Sequence, residues 1–321
     1  MKMTSKLVTA LAFATAIAGA PVQAMAEYPE KPVTIVFPNK AGSGYHNILL
    51  AVLNEMEDEI PVPVNVVAMP GAGTSAGTRH VHGQAADGYT LLFIHEAIMS
   101  SAAMGMLDFE PLDEFRAIAR INTTCSGLFT RTDAPYDNLN ELADYSRENP
   151  DAVRGAVNTG AISHVEMLWV ADVIGANIRP VHVGGGSAGY VQAMLAGDID
   201  LFSAGPEAAK GLIDANEVKA LAYFGARPHQ SIPDTKTVSE QGFVDQTSCI
   251  GGYFWIRKDA PQEAVSYWNN LLKETLDEET IDRLEEIIPV EFTFMGDDDI
   301  NPYAQKQWDV WSKLIEENIK R

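Results

Sequence analysis

Asn65-Val-Val-Ala-Met-Pro-Gly-Ala-Gly-Thr-Ser-Ala-Gly77 and Arg179-Pro-Val-His-Val-Gly-Gly-Gly-Ser-Ala-Gly189 repeat one design roughly 110 residues apart. Each passes from a β-branched segment through glycines into sequence that reads as a helix. At such a junction the first helical N–H groups have no partner within the helix, and the positive end of the helix dipole faces outward, so an anion can sit there. Two cradles of this kind predict a clamp with one cradle in each of two lobes.

Working outward, strand-like and helix-like segments alternate: 33–37 then 47–56, 64–69 then 74–84, 90–94 then 97–104. The alternation resumes with 154–157, 163–174, 178–183, 187–195, 199–203, 206–215 and 218–224. This βα pattern predicts an α/β fold in which each lobe is a mainly parallel sheet flanked by helices. Between the two series, 117–121 and 126–130 read as extended and carry the chain outward, and 250–256 carries it back. The expected division is 27–122 plus 252–321 for the first lobe and 123–251 for the second. Cys125 and Cys249 then fall on neighbouring crossover strands, where one bridge would staple the hinge; two buried thiols are the other reading. The last third reads as helical, with Val265, Trp268 and Leu272 on one face. Asn301-Pro302 is expected to open a final helix whose Ala304, Trp308, Trp311 and Ile315 face the core.

Lys2 and Lys6 precede an apolar run from Leu7 to Ala20 and small residues up to Ala26, the pattern of a secretory signal peptide over 1–26. The protein is therefore expected in a periplasm. Without that leader 21 basic side chains face 44 acidic ones, a net charge near −23. Nucleic acid and anionic membranes are poor partners for such a surface. An anionic ligand must be held by local N–H dipoles against the global field.

Other chemistries fit less well. Gly73-Thr-Ser75-Ala-Gly77 and Gly185-Gly-Ser187-Ala-Gly189 both match the nucleophile elbow of a serine hydrolase. An elbow needs an acid and then a histidine later in the chain, but the last histidine is His229, with 92 residues still to come. Two equivalent elbows also make little sense for one nucleophile. Gly71-x-Gly73-x-x-x-Gly77 is one residue too long for a dinucleotide fingerprint, although Glu96 stands near the position of a ribose-binding acid. His80 and His82 point about 200° apart on a helix and cannot share an ion, and His164 with Glu166 fails likewise. Asp297-Asp-Asp299 reads as a solvated helix entry. Neither a metal nor a cofactor is expected. Three more loops stand at strand carboxyl ends, where open α/β sheets bind ligands: Pro38-Asn-Lys-Ala-Gly-Ser-Gly-Tyr-His46, Asn158-Thr-Gly-Ala-Ile-Ser-His164 and Ser203-Ala-Gly-Pro206.

Taken in order, Tyr28-Pro-Glu-Lys-Pro-Val-Thr-Ile-Val36, Pro70-Gly-Ala-Gly73, Ala86-Asp-Gly-Tyr-Thr-Leu-Leu92, Gly160 with His164, Leu195-Ala-Gly-Asp-Ile-Asp200 and Pro233-Asp-Thr-Lys-Thr-Val-Ser-Glu-Gln-Gly242 resemble one family over nearly the whole chain. It is that of the periplasmic solute receptors of tripartite tricarboxylate transporters, the Bug family. The resemblance implies a periplasmic-binding-protein-like clamp, acting as a monomer without catalysis. It would close on a small di- or tricarboxylate or aromatic acid and deliver it to a membrane permease. A receptor presenting its ligand to a sensor kinase would look the same in sequence.

Carried over by position, the resemblance points to Ala41, Gly42, Ser43, Tyr45 and His46, to Ala72, Gly73 and Thr74, to Thr159, Gly160, Ser163 and His164, and to Gly185, Gly186 and Ser187. Two departures bear on the ligand. Gly42-Ser-Gly-Tyr-His46 stands where such receptors usually have Gly-Gly-Gly-Thr-Asp, and Ala161 replaces a serine. An acid is lost and an imidazole and an aromatic ring are gained, which favours a dicarboxylate or a bulky or aromatic acid over an amino acid.

Overall fold

The computed structural model describes residues 28–159, 161–243, 248–288 and 290–318. The expected leader at 1–26 and the site candidate Gly160 lie outside the described residues. The strands are β1 (Val33–Phe37), β2 (Val64–Ala68), β3 (Thr90–Ile94), β4 (Phe115–Cys125), β5 (Gly127–Arg131), β6 (Val153–Val157), β7 (Ile178–His182), β8 (Leu201–Ala204), β9 (Val218–Tyr223), β10 (Cys249–Ile250), β11 (Tyr253–Arg257) and β12 (Glu291–Gly296). The helices are α1 (Gly44–Glu55), α2 (Ser75–His82), α3 (Ala97–Ala103), α4 (Pro111–Glu114), α5 (Leu139–Glu148), α6 (Ile162–Ile174), α7 (Gly186–Leu195), α8 (Pro206–Asp214), α9 (Gln262–Thr275), α10 (Glu278–Ile287) and α11 (Asp297–Asn318).

Two sheets result. One runs β10-β4-β11-β3-β1-β2 with β12 also on β4, and the other runs β7-β6-β8-β5-β9. Strand β3 is the clearest product of its sequence: Leu91-Leu-Phe-Ile94 is buried at every position, as a strand covered by helices on both faces must be. The sheets are mixed rather than mainly parallel. β1 pairs in parallel with β2 and β3, and β6 with β7 and β8. The crossover strands β4, β5, β10 and β11 meet their neighbours antiparallel, because they enter each sheet from the direction of the other. The βα pattern therefore holds at the strands that carry the glycine loops and fails at those that join the lobes.

The crossover itself follows the expected course. β4 ends at Cys125 in the first sheet and β5 begins at Gly127 in the second, while β10 and β11 return the chain. Cys125 opposes Cys249 in the β4–β10 register, and their sulfurs are bonded. Gly251 and Gly252 separate β10 from β11. A Cβ on Gly251 would strike the Asn122 carbonyl oxygen, and one on Gly252 would lie 2.5 Å from the Phe93 ring. The crossover is thus packed too closely for side chains at either position.

Val265, Trp268, Leu272, Trp308 and Trp311 are buried in the core beneath the first sheet, as their spacing predicts. The last helix starts earlier than Asn301. Its first turn is Asp297-Asp-Asp299, with Pro302 inside it. Asn301 ties this turn to β4: its side chain accepts from Ala117 N–H (2.9 Å) and donates to Ala117 C=O (2.9 Å), serving the strand as a partner would. Farther along, Leu314 is buried in the core of the second sheet with Val310 packed against it, so α11 is rooted in one lobe and reaches into the other.

Candidate functional site

The first cradle grows from adjacent parallel strands. β1 and β2 lie side by side, and Met69 N–H donates to Phe37 C=O just beyond them (2.8 Å), so the loops that follow emerge together. In the loop after β1, Gly42 takes φ +77°, a left-handed conformation natural to glycine. Its N–H faces His46 Nδ1 at 3.3 Å, and the His46 ring lies 5.3 Å from that of Phe37. Ala41 and Gly42 are exposed, whereas Ser43 Oγ is enclosed at the start of α1. Tyr45 turns inward: its ring sits 4.8 Å from that of His95, and its hydroxyl is buried beside Asn122 and Thr124. Burial pushes the Tyr45 hydroxyl well up and holds the His95 imidazole down to about 4, so both are neutral at neutral pH.

In the loop after β2, Gly71, Ala72, Gly73 and Thr74 all have positive φ (149°, 44°, 60° and 80°). The step from left-handed Thr74 to right-handed Ser75 is the kind of turn in which successive N–H groups can converge on an anion. For Ala72 and Thr74 the conformation costs of order 1–3 kcal/mol each, strain of a kind that concentrates at functional sites. Support comes from below. Ser101 Oγ donates to Gly73 C=O and lies 3.2 Å from Thr74 Oγ1, and Thr78 Oγ1 donates to Thr74 C=O at 3.0 Å. Residues 71–73 remain exposed.

The second lobe repeats the arrangement. β6 and β7 are parallel neighbours, and Val183 N–H donates to Val157 C=O (2.9 Å), the counterpart of the Met69–Phe37 bond. After β6, Asn158 N–H donates to Ser163 Oγ (3.1 Å), which meets Tyr190 OH at 2.8 Å. Thr159 N–H and Oγ1 both face His182 Nδ1, at 3.3 and 3.1 Å. An N–H donating to Nδ1 places the imidazole proton on Nε2. After β7, Gly185 and Gly186 take φ +88° and +62° as α7 begins, with Ser187 in its first turn. Gly189 is packed against Gly184 C=O, where a Cβ has no room.

Helix α6 brings the halves together. It packs on α3 and α11, and its first residue, Ile162, lies against the first-lobe core, with Val165 inside that core. His164 is largely buried and its imidazole is held below the usual range by burial. Tyr190, His182 and Ser101, which anchor the loops, were not among the residues the sequence pointed to. Ser163 and Tyr190 are 27 positions apart and meet only through the β6–β7 pairing. Behind the crossover a separate cavity of about 570 Å³, lined by Arg120, Tyr223, His229, Tyr303 and the bonded cysteines, contains none of the glycine-loop residues.

Residues 48–319 match the model of the tripartite tricarboxylate transporter family receptor, TctC. A UPF0065 protein of Agrobacterium vitis, from the TAR-I ttuE-ttuC' intergenic region, is 29% identical over 277 residues, 86% of this chain and 80% of its own. Among solved structures, a TctC solute-binding protein from Polaromonas without ligand matches with TM-score 0.79 at 18% identity, covering 90% of this chain and 99% of that one. An R. palustris protein with adipate matches at 0.69 and 20% identity (90% and 98% covered). MatC from Rhodopseudomonas palustris with bound malate matches at 0.67 and 21% identity (90% and 100% covered). With the family model spanning most of the chain and the two-lobed fold shared, this protein belongs to the tripartite tricarboxylate transporter receptor family of solute-binding proteins.

Proposed function

We propose that the protein is a periplasmic receptor that captures a small carboxylate between its lobes and delivers it, unchanged, to the permease of a tripartite transporter. The observation that carries this reading is the doubled cradle. Ala72 and Gly73 on one lobe and Gly185 and Gly186 on the other are exposed, take positive φ and follow the carboxyl ends of adjacent parallel strands, so their backbone N–H groups are available to a ligand. A carboxylate held there replaces water by several charge-assisted hydrogen bonds, each worth roughly 1.5–3 kcal/mol. The His182 Nε2–H adds a donor on the second lobe, and no counter-cation from the acidic surface is required.

Two relatives of the fold hold dicarboxylates, adipate and malate, which supports a diacid here. The imidazole of His46, in place of the usual acid, removes a negative charge from the first loop and favours the same class. The hydrolase alternative loses its support at Ser75, which is fully buried, with Arg79 Nη1 3.4 Å from its Oγ. A cation cannot act as the general base that an elbow serine needs.

Isothermal titration of the purified protein with malate, adipate, benzoate and amino acids tests the reading. One-to-one binding of a diacid or aromatic acid, with the acid recovered intact, is the expected result. Binding of amino acids alone would remove the ligand assignment, and turnover of any ester would remove the receptor reading.

A further inference from the structure

Two buried carboxyl groups at the hinge take no part in the cradles. Glu96 follows β3, is fully buried, and accepts from Gly251 N–H (3.1 Å) and Tyr253 OH (2.7 Å) on the returning crossover. Glu166, on α6, is almost fully buried and accepts from Ser126 Oγ, on the outgoing crossover, and from Ser203 Oγ on β8, each at 2.8 Å. Each carboxyl therefore grips one of the two strands on which the lobes turn. α6 also begins in the loop after β6 that carries Thr159 and Ser163, and Glu166 lies four positions after Ile162, about 6 Å along the helix axis. A ligand at the start of α6 and the hinge contact at Glu166 thus lie on one rigid lever.

We propose that Glu96 and Glu166 form a proton-holding latch across the hinge, and that capture of a carboxylate at the start of α6 is accompanied by proton uptake at Glu166. The coupling half of this proposal rests on the carboxylate reading above; the latch half does not. Burial raises both groups to about 7, and the charge of Glu96 adds to the rise at Glu166. Around Glu96 stand Arg120, whose cation opposes the rise, and the hydroxyls of Tyr45, Tyr253 and Tyr303, with the neutral His95 beside it in sequence. Among the described residues, the groups acting on Glu166 are the hydroxyls of Ser126, Ser203 and Tyr190 and the other carboxyl; His164, on the same helix, is held toward neutrality by burial. Among the described residues no cation acts on Glu166, so a second negative charge one helical turn away raises its proton affinity further. Linkage then requires that binding take up protons where the free and bound forms differ, and that affinity fall as pH rises through that window.

The test is titration of malate and adipate at pH 7 in buffers of different ionisation enthalpy, from which proton uptake is read directly. The wild type should take up about 0.4 proton per ligand at pH 7 and almost none at pH 5, as expected for a group half-protonated when free and nearly fully protonated when bound. Glu166→Gln keeps an acceptor for one serine and a donor for the other, and should bind at pH 5 within threefold of the wild type with no uptake at pH 7. Enthalpies independent of buffer in the wild type, or uptake retained in Glu166→Gln, would overturn the coupling. Should neither acid bind, the carboxylate reading fails, and the latch is judged on the ligand-free protein. Its melting temperature should fall between pH 6.5 and 8 in the wild type and fall less in both Glu96→Gln and Glu166→Gln. A fall unchanged in both variants would overturn the latch, and should the variants not fold, the wild-type buffer dependence still decides the coupling.

Discussion

Gly77 shows how a single position holds the first cradle in shape. It lies in α2, and a Cβ there would sit 2.7 Å from Pro38 Cβ and 3.1 Å from the Met69 carbonyl oxygen. Those two residues begin the loops after β1 and β2. Gly77→Ala is therefore expected to push both loops outward, costing about 1–3 kcal/mol in stability and weakening carboxylate binding at least tenfold. Urea unfolding and titration calorimetry read the two effects, and unchanged affinity would mean the loops do not need their present spacing. The glycines of both cradles were legible in the sequence because backbone demands are local. Glu96 and Glu166 were not legible as a pair. Nothing in the neighbours of Glu96 marks it as buried, and its partners Gly251 and Tyr253 lie more than 150 positions away. His164 was legible as a residue of the loop after β6, but its burial depends on α6 packing against the first lobe, which no local pattern reveals.

Among the elements, the stapled crossover carries most of the long-range order. The Cys125–Cys249 bond closes a loop of 124 residues, and a cross-link of that span restricts the unfolded chain strongly. Replacing both cysteines by serine is expected to destabilise the protein by about 2–5 kcal/mol, measured by urea unfolding, while ligand affinity changes less because β4 and β10 remain paired. The extended character of 117–121 and 126–130 was readable from their β-branched and aromatic content. Their antiparallel pairing was not, since direction depends on which lobe the strand has come from. The early start of α11 was hidden for a related reason: Pro302 marks a first turn in most sequences, but here the Asn301 side chain bonds to β4 and the helix extends back to Asp297.

For the molecule as a whole, opposing titrations predict an unusual stability profile. Glu96 and Glu166 rise from 4.5 to about 7 on folding, so the stability they contribute is full at low pH and is lost as pH climbs from about 4.5 through 7. His95 falls from 6.5 to about 4 and His164 is also lowered, so these groups cost stability as pH drops below 6.5. Between about pH 5 and 6.5 the two pairs oppose one another. The melting temperature should therefore be nearly flat there and decline on either side, and Glu166→Gln should tilt the flat region so that stability rises with pH. Scanning calorimetry across pH 4–8 reads this. A saturating diacid, at about 100 times its dissociation constant, should add about 2.7 kcal/mol and raise the midpoint by several degrees. That the chain makes two lobes with paired cradles followed from its doubled βα series. The crossover and its staple were legible as well, but the further ties through Glu96, Glu166, α6 and α11 were not, because they join residues far apart in sequence.

The reach of α11 from one core into the other has a mechanical outcome. Two strands crossing side by side make a joint that can twist as well as bend; together with α6, an attachment set away from them at Val310 and Leu314 would resist the twist in the capture proposed above. On that reading the jaws return to one alignment at each closure, and trimming those two side chains to alanine should let them wander, visible as a broadened distance distribution between spin labels on α2 and α7.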